Sequence, residues 1–395
     1  MKKFAFGLLL LLILCLCIPV WAQEEVSAAQ EWKVIENEKG VTLTAYLGQE
    51  KEIVIPEKLD GKPVTALRKE LFKDNDRIRS IYIPDSVETI GSNAFCGCSA
   101  LTEVRLPQNL KRIESGLFRY CINLNQIVIP FKVSFIGSFA FADCVHLKEI
   151  VLIETTFIGE SAFNNCQSLE SVFVSRKLNK VDANAFMDTN WLDAQTDEFV
   201  FIGHKILLKY NGTDTNVVIP EGTTAISNAF DGNRTLESVK LPEGLIRISQ
   251  NAFQDAENLS RITIPQSVTE IGPGAFQNCR SLSEIELPES IKSIGANAFR
   301  ECENLSGLTF PSQVTDIQNG VGRDCPSLVD VIIPEGAVKF HKDAFLDSPN
   351  VNIMIVKGSP VEEVMKNNAI NYNYYQRNEN NIIPLPRIDT TAVTE

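Results

Sequence analysis

The sequence predicts a solenoid, mainly β with short helical turns, in which about twelve coils of 22–23 residues stack and are capped at both ends. Two sets of residues recur with this period, which is typical of solenoids because one coil cannot bury its apolar face alone. The phenylalanines are Phe72, Phe95, Phe118, Phe141, Phe163, Phe186, Phe230, Phe253, Phe276, Phe299 and Phe345, with Gly322 in the one empty slot. The prolines are Pro84, Pro107, Pro130, Pro242, Pro265, Pro288, Pro311 and Pro334.

One coil, residues 276–298, indicates how each element arises. Ile285 and Leu287 flank a single polar residue, which is the alternation of a short strand. Pro288 ends that strand, because proline cannot donate a hydrogen bond to the next ladder. A second short extended stretch reaches Ile294, and a glycine then turns the chain. The next four residues, Ala-Asn-Ala-Phe, are predicted to form a single helical turn.

The repeated string Ile-Pro-x-x-Val-x-x-Ile-Gly-x-x-Ala-Phe-x-x-Cys-x-x-Leu stands at Ile83 to Leu101 and again at Ile264 to Leu282. It resembles the BspA-like branch of the bacterial leucine-rich repeats, and the resemblance covers roughly residues 32–375. It implies a leucine-rich-repeat solenoid and an exported bacterial protein. Some members of this family resemble adhesins for host matrix proteins, which implies a protein-binding role.

The first 22 residues are predicted to be a signal peptide. Lys2 and Lys3 precede an apolar run, and small or modest residues stand at positions 20–22, where a signal peptidase reads the chain. A lipoprotein signal at Cys15 or Cys17 is disfavoured, because a large leucine precedes each cysteine. We therefore expect a secreted or cell-surface protein.

The formal net charge of −13 argues against nucleic acid as a partner, because an acidic surface repels phosphate backbones. After the signal peptide, the sequence contains no apolar stretch long enough to predict a transmembrane helix. The sequence gives no indication of oligomeric state.

The pattern divides the chain into five parts. Residues 23–52 are predicted to form an N-terminal capping hairpin that lies against the strand of the first coil, Ile53 to Ile55. Residues 53–350 form the leucine-rich-repeat solenoid. An irregular coil at 187–219 contains a predicted hairpin with a two-residue turn, Gly203-His204. We treat it as a coil that preserves the stack, with a projecting binding element as the alternative.

The C-terminal parts follow from composition and pattern. Residues 351–375 are expected to form a C-terminal cap with a helix that begins at Pro360. Residues 376–395 are polar and without a period, and are expected to be disordered.

No residue set predicts catalysis, a metal site or a cofactor. Repeat cysteines occupy one buried slot per coil, three residues after the phenylalanine, and are expected to be mostly reduced thiols that pack as small hydrophobes. The three histidines fall in different coils, and a Cys144–His146 nucleophile pair has little support. The repeat cysteines are Cys98, Cys121, Cys144, Cys166, Cys279, Cys302 and Cys325.

The outward residues of successive strands form the candidate ligand-binding site, at Tyr82, Arg105, Val128, Val151 and Phe173. Stacking aligns them in one column at roughly 4.8 Å per coil, and aromatic and arginine side chains anchor interfaces. The same positions in the second half are mostly polar. This column favours an exported protein-binding scaffold with a host matrix or envelope protein as ligand. A structural surface or stalk protein without a high-affinity ligand is the alternative, because valine suits any sheet face.

Overall fold

The computed structural model describes residues 31–378 and 381–384, so the predicted signal peptide lies outside the described residues. The chain is a β-solenoid of about 15 turns, which confirms the predicted mainly β fold. There are more turns than the twelve expected, because the segments expected as caps add strands to the same ladders. At one end β2 pairs in parallel with β5, and at the other β28 and β29 extend the ladder of β26.

The elements up to residue 186 form what we term the first stack. In chain order they are β1 (Trp32–Asn37), β2 (Gly40–Tyr46), β3 (Glu52–Val54), β4 (Lys58–Leu59), β5 (Lys62–Leu67), β6 (Ser80–Tyr82), β7 (Thr89–Ile90), β8 (Glu103–Arg105), β9 (Arg112–Ile113), β10 (Phe135–Ile136), β11 (Glu149–Leu152), β12 (Phe157–Ile158), β13 (Ser171–Val174) and β14 (Lys180–Val181).

A junction follows, and then the second stack, from residue 216 onward. The junction holds α1 (Asn190–Asp193), β15 (Phe199–Ile202) and β16 (Ile206–Tyr210). The second stack holds β17 (Asn216–Val218), β18 (Ala225–Ile226), β19 (Ser238–Lys240), β20 (Arg247–Ile248), β21 (Arg261–Thr263), β22 (Glu270–Ile271), β23 (Ser293–Ile294), β24 (Gly307–Thr309), β25 (Asp316–Ile317), β26 (Asp330–Ile332), β27 (Lys339–Phe340), β28 (Asn352–Val356), α2 (Pro360–Asn367), β29 (Asn373–Asn378) and β30 (Asn381–Pro384).

Each regular coil contributes a strand to two faces. The first face carries strands such as β6 and β8, which precede the repeat proline, together with their equivalents β11 and β13 in coils without that proline. The second face carries the two-residue strands such as β9, β10 and β12. Strands of neighbouring coils pair in parallel on both faces. Between the faces, the repeat phenylalanines form an interior ladder with ring centroids 5.2–5.6 Å apart. This ladder explains the period of the sequence, since each ring packs on its equivalent in the next coil.

The segment predicted as a helical turn is instead a run of tight turns. Residues two before and two after most of the repeat phenylalanines adopt a left-handed conformation, for example Asn297 (φ 57°) and Glu301 (φ 60°) around Phe299. Amides in the segment alternate between a turn bond and a bond to the next coil, as when Phe299 N–H donates to the Val321 carbonyl. A continuous helix cannot form, because left-handed residues interrupt it at both ends of the segment.

The eight cysteines of the described residues are free thiols, and all are buried. Each repeat cysteine donates its S–H to the carbonyl oxygen of the phenylalanine in the preceding coil, as Cys302 does to Phe276 at 3.2 Å. Burial raises the pKa of the Cys302 thiol well above its ordinary value. The repeat cysteines therefore pack as small core residues, as predicted.

The ladder of the first face is interrupted at two coils where the pattern predicted strands. Residues 126–129 and 284–287 are not strands, so neither Val128 nor Glu286 belongs to a sheet. The first of these coils is also less buried than expected: Ile127 and Ile129, which should fill the interior, are only half-buried. Val172 and Val174 on β13 are likewise half-buried.

The two ends of the solenoid and the junction hairpin differ in detail from the sequence predictions. The N-terminal hairpin β1–β2 lies against β5 and not against the strand at residues 53–55. The junction hairpin turns through three residues, 203–205, because Ile202 pairs with Ile206. The tail expected to be disordered from residue 376 is ordered in part, since β29 continues to Asn378 and pairs antiparallel with β30. The other tail residues lie outside the described part of the chain.

The hydrophobic core consists of two clusters that meet at the junction. The first begins at Trp32 and, beyond Phe186, includes Ile202, Ile206, Leu208 and Ala225, while the second runs from Leu207 to Met365. The phenylalanine ladder is not continuous between them: Trp191 packs on Phe186 at 5.1 Å, and Tyr210 packs on Phe230 at 5.1 Å. The junction thus begins a second stack with its own core.

Candidate functional site

The candidate site is the first column, which we define as Tyr82, Arg105, Val128, Val151 and Phe173 on the first face of the first stack. The structure brings these residues together as two pairs and a linking residue. Strand pairing places Tyr82 beside Arg105, and Val151 beside Phe173. Val128 lies between the pairs in the segment that is not a strand.

The first pair is joined by a cation–π contact. The guanidinium carbon of Arg105 lies 4.4 Å from the centroid of the Tyr82 ring. Such a contact holds the arginine side chain flat over the ring and limits its freedom before any partner binds. A side chain that is already ordered loses less entropy on binding, which suits an interface anchor.

The other three members of the column present apolar surface. Val128 is 44% exposed and Phe173 is 41% exposed, while Val151 is half-buried between its neighbours. One further residue belongs to this column and was missed by the sequence prediction. Val54 on β3 pairs with Tyr82 and is 56% exposed. The repeat pattern in the sequence could have identified Val54, because it is the outward residue of the first coil's strand.

A second column of aromatic residues lies on the second face, and sequence reasoning missed it too. Arg112 stacks on Phe135 with its guanidinium carbon 3.6 Å from the ring centroid, and Phe135 stacks on Phe157 at 4.8 Å. These residues recur at intervals of 23 and 22, so the period contained the signal. The Phe135 ring lies between Arg112 and Phe157, which leaves its edge and not its faces for a ligand.

A third exposed group occupies the turns of the first stack. The Arg119 guanidinium carbon lies 4.7 Å from the Tyr120 ring centroid and 4.9 Å from that of Phe139. Tyr120 (φ 61°) and Phe139 (φ 58°) both adopt the left-handed conformation that asparagine, aspartate or glycine holds in most other coils. Bulky residues in this conformation carry strain.

The residues considered for chemistry are held in structural roles. The Cys144 thiol is buried and donates to the Phe118 carbonyl, while the His146 ring bonds to the carbonyl of Ile122 at 2.6 Å. Burial also raises the pKa of the Cys144 thiol, which disfavours the nucleophilic thiolate. Within the described residues, no group of three or more histidine, cysteine, aspartate or glutamate side chains is placed to hold a metal ion.

A shallow depression of about 380 Å³ opens on the first face of the second stack. It lies where residues 284–287 fail to form a strand and where Gly307 has no side chain. Its rim includes Glu286 and Asp330.

In the part of the chain that the structure describes, neither helix has the length or apolar character needed to cross a bilayer.

Comparison with known proteins identifies the repeat. Residues 65–192 and 215–352 match a family model described as the BspA type leucine rich repeat region, in six copies. The unmatched residues between the two segments correspond to the junction. No curated protein matches the chain.

Solved structures of bacterial repeat proteins are similar over most of the chain. A leucine rich cell surface protein from Faecalibacterium prausnitzii is 25% identical, with 85% of this chain and 95% of that chain covered and a TM-score of 0.40. A leucine-rich repeat protein from Bacteroides ovatus is 22% identical, with 88% and 98% covered and a TM-score of 0.40. The pneumococcal vaccine antigen PcpA is 20% identical, with 88% and 97% covered and a TM-score of 0.41.

Proposed function

We propose, from the premise that this chain belongs to the BspA-type leucine-rich repeat family, that it is an exported, adhesin-like scaffold that binds a protein and catalyses no reaction. The observation that carries the proposal is the first column, a line of exposed and half-buried aromatic, arginine and aliphatic side chains on one face. Exposing a contiguous apolar strip has a solubility cost that a bound partner removes.

The character of the column supports a protein ligand. Tyrosine and arginine are the residues that anchor protein interfaces, and here Arg105 is already held over Tyr82. The face is extended and shallow, so the partner would make many modest contacts along several coils. A host matrix protein or a bacterial envelope protein fits such a surface. The acidic net charge of −13 disfavours nucleic acid.

Export is proposed from residues 1–22, whose basic start and apolar run are those of a signal peptide. A secreted or surface location would put the first column within reach of an extracellular partner. N-terminal sequencing of the protein from the culture medium or cell surface tests this step. We expect the mature chain to begin at Gln23, and an N-terminus that still includes Lys2 and Lys3 would contradict it.

Binding is tested by immobilising candidate matrix and envelope proteins and measuring association of the chain. The variant Val128→Thr/Val151→Thr/Phe173→Ser should weaken binding at least about tenfold, because it removes the apolar contacts at the centre of the column. Its melting temperature should change little, since these side chains point outward.

The matched control is Val218→Thr, which changes a 64% exposed valine at the equivalent position of the second stack. It should leave binding intact. Equal affinity in the parent and the triple variant, with both folded, would show that the column is ordinary strand composition. A parent chain that binds none of the candidates would favour the alternative of a structural surface or stalk protein.

A further inference from the structure

The second face contains two outward positions that are unexpectedly buried. Strand pairing aligns Ile206, Ala225, Arg247 and Glu270 in one outward line across β16, β18, β20 and β22. Ile206 is 0% exposed and Ala225 is 1% exposed. An outward residue of an open face would be in contact with water, so other groups must cover these two.

Both residues belong to the hydrophobic cluster of the first stack, so the end of that stack covers them. Three charged side chains join the two stacks beside this apolar contact. Lys180 Nζ donates to Glu270 Oε1 at 2.9 Å, and Arg247 Nε donates to Glu270 Oε2 at 2.8 Å. Arg247 Nη1 also donates to the carbonyl of Asn179 at 2.9 Å. Asp182 lies 4.0 Å from Lys180 at the edge of the group. These bonds join the last strand of the first stack to the second stack across 90 residues of sequence.

The contact between Lys180 and Glu270 requires the solenoid to bend. Strand β14 lies next to the start of β16, since His204 N–H donates to the Leu178 carbonyl. Three strands, β16, β18 and β20, therefore separate β14 from β22. Four strand spacings of about 4.8 Å would put these residues roughly 19 Å apart in a straight stack, further than the two side chains reach together. The second face must lie on the inside of a bend.

The junction explains where the bend comes from. On the turn side of the stack, Asn228 Nδ2 donates to Asn184 Oδ1 at 2.8 Å, and Ser227 Oγ lies 3.3 Å from the Val181 carbonyl oxygen. The first and second stacks thus touch directly on this side. The inserted chain does not separate the stacks on this side. Its strand β16 instead enters the second-face ladder of the second stack beside β18, so that ladder starts from the junction hairpin and not from β14, and the two stacks meet at an angle.

We propose that Lys180, Arg247 and Glu270 form a latch that fixes the angle between the two stacks, with Ile206 and Ala225 as the apolar corner that it closes. The ladder of repeat phenylalanines is interrupted at the junction, so the interior offers less resistance to bending there than within either stack. Glu270 is the centre of the latch, because it accepts from both cations. Loss of Glu270 leaves both cations without their shared acceptor and lets the stacks open.

The test is an electron–electron distance measurement between nitroxides placed on the two stacks. Lys111→Cys and Lys292→Cys put one label on each side of the bend, at exposed positions on the second face. The native cysteines are buried, and the parent chain without added cysteines measures any background labelling. The complete chain is used, and circular dichroism confirms that each variant is folded.

In Glu270→Ala, the mean distance should lengthen by roughly one strand spacing, about 5 Å or more, and the distribution should broaden. Lys180→Met keeps the aliphatic stem while it removes the charge, and should shift the distance in the same direction if Glu270→Ala fails to fold. The control is Asp316→Asn, which breaks the 2.7 Å ion pair with Lys339 between adjacent coils of one stack. A distance that is unchanged in folded Lys180→Met or Glu270→Ala would overturn the latch.

Discussion

Two residues before the repeat phenylalanine, asparagine and glycine alternate in the left-handed conformation at Asn93 and Gly116 and again from Asn251 to Gly320. Gly320 has φ 63°, and a β-carbon added there would overlap Oδ1 of Asn297 in the preceding coil. The asparagine side chain thus occupies the space that the glycine leaves. The same relation joins Asn93 to Gly116. The turn edge is therefore specified by pairs of residues in neighbouring coils.

Gly320→Ala should lower the free energy of unfolding by roughly 1–2 kcal/mol, because alanine in the left-handed conformation is strained and the neighbouring asparagine must move. Chemical denaturation measures the change. Gly244→Ala is the control, since Gly244 is exposed and an added β-carbon there meets nothing within 4 Å. It should be neutral or slightly stabilising, and equal losses in both variants would contradict this account of the turn.

At the scale of elements, helix α2 and strand β29 are joined by one buried carboxylate. Glu362 accepts hydrogen bonds from the Gly358 amide at 2.7 Å and the Tyr374 hydroxyl at 2.8 Å, and pairs with Lys366 at 2.5 Å. The pairing with Lys366, together with these hydrogen bonds, lowers the pKa of Glu362 to about 2. The last turn of the solenoid is therefore closed by a charged group.

Because the folded-state pKa of Glu362 lies below the value of about 4.3 expected in the unfolded chain, its stabilisation is complete above that value. It is lost as pH falls towards 2. Glu362→Gln should reduce the free energy of unfolding at pH 7 by about 1.5–3 kcal/mol, the usual contribution of hydrogen bonds to a charged group. Thermal melts between pH 7 and pH 2 should show the gap from the parent closing as the pH drops. Glu363→Gln, an exposed neighbour on the same helix, is the control. A gap that persists at pH 2 would mean that the carboxylate charge is not responsible.

The sequence predicted the features that recur at the same position in successive coils. The phenylalanine ladder, the cysteine slot and the position of the first column all follow from the period. The period does not determine whether the backbone of a coil is placed to form strand hydrogen bonds with the neighbouring coils. Residues 126–129 and 284–287 match the repeat as well as other coils do, yet neither forms a strand.

The features that sequence reasoning missed depend on contacts between distant coils or on a second face. The bend rests on Lys180 and Glu270, and no local pattern links residues that are 90 positions apart. The second column of Arg112, Phe135 and Phe157 was recoverable from the period. Its residues lie on the second strand of each coil and not on the strand that carries the first column.

At the scale of the whole molecule, the bend limits which surfaces one partner can contact at the same time. The stacks have different first faces, apolar and aromatic in the first and mostly polar in the second. The latch sets the angle between these faces, so a rigid partner on the first column would contact the second stack only at one angle. If binding uses both stacks, affinity will depend on the latch; if it uses the first column alone, the latch variants will bind as the parent does.

The length of the molecule distinguishes an extended stack of coils from a compact fold. About 15 turns at a strand spacing of about 4.8 Å give a contour of roughly 70 Å. A compact sphere of the same chain length would have a radius of gyration of about 21 Å and hence a diameter of about 54 Å. Small-angle scattering should therefore give a maximum dimension near the contour length of roughly 70 Å, with a distance distribution skewed towards long distances. The radius of gyration alone discriminates poorly, because a bent rod of this size has nearly the same value as the sphere. A symmetric distribution that ends near the smaller value would show that the two stacks fold back on each other. The bend at the junction would then be far sharper than one latch of three side chains can set.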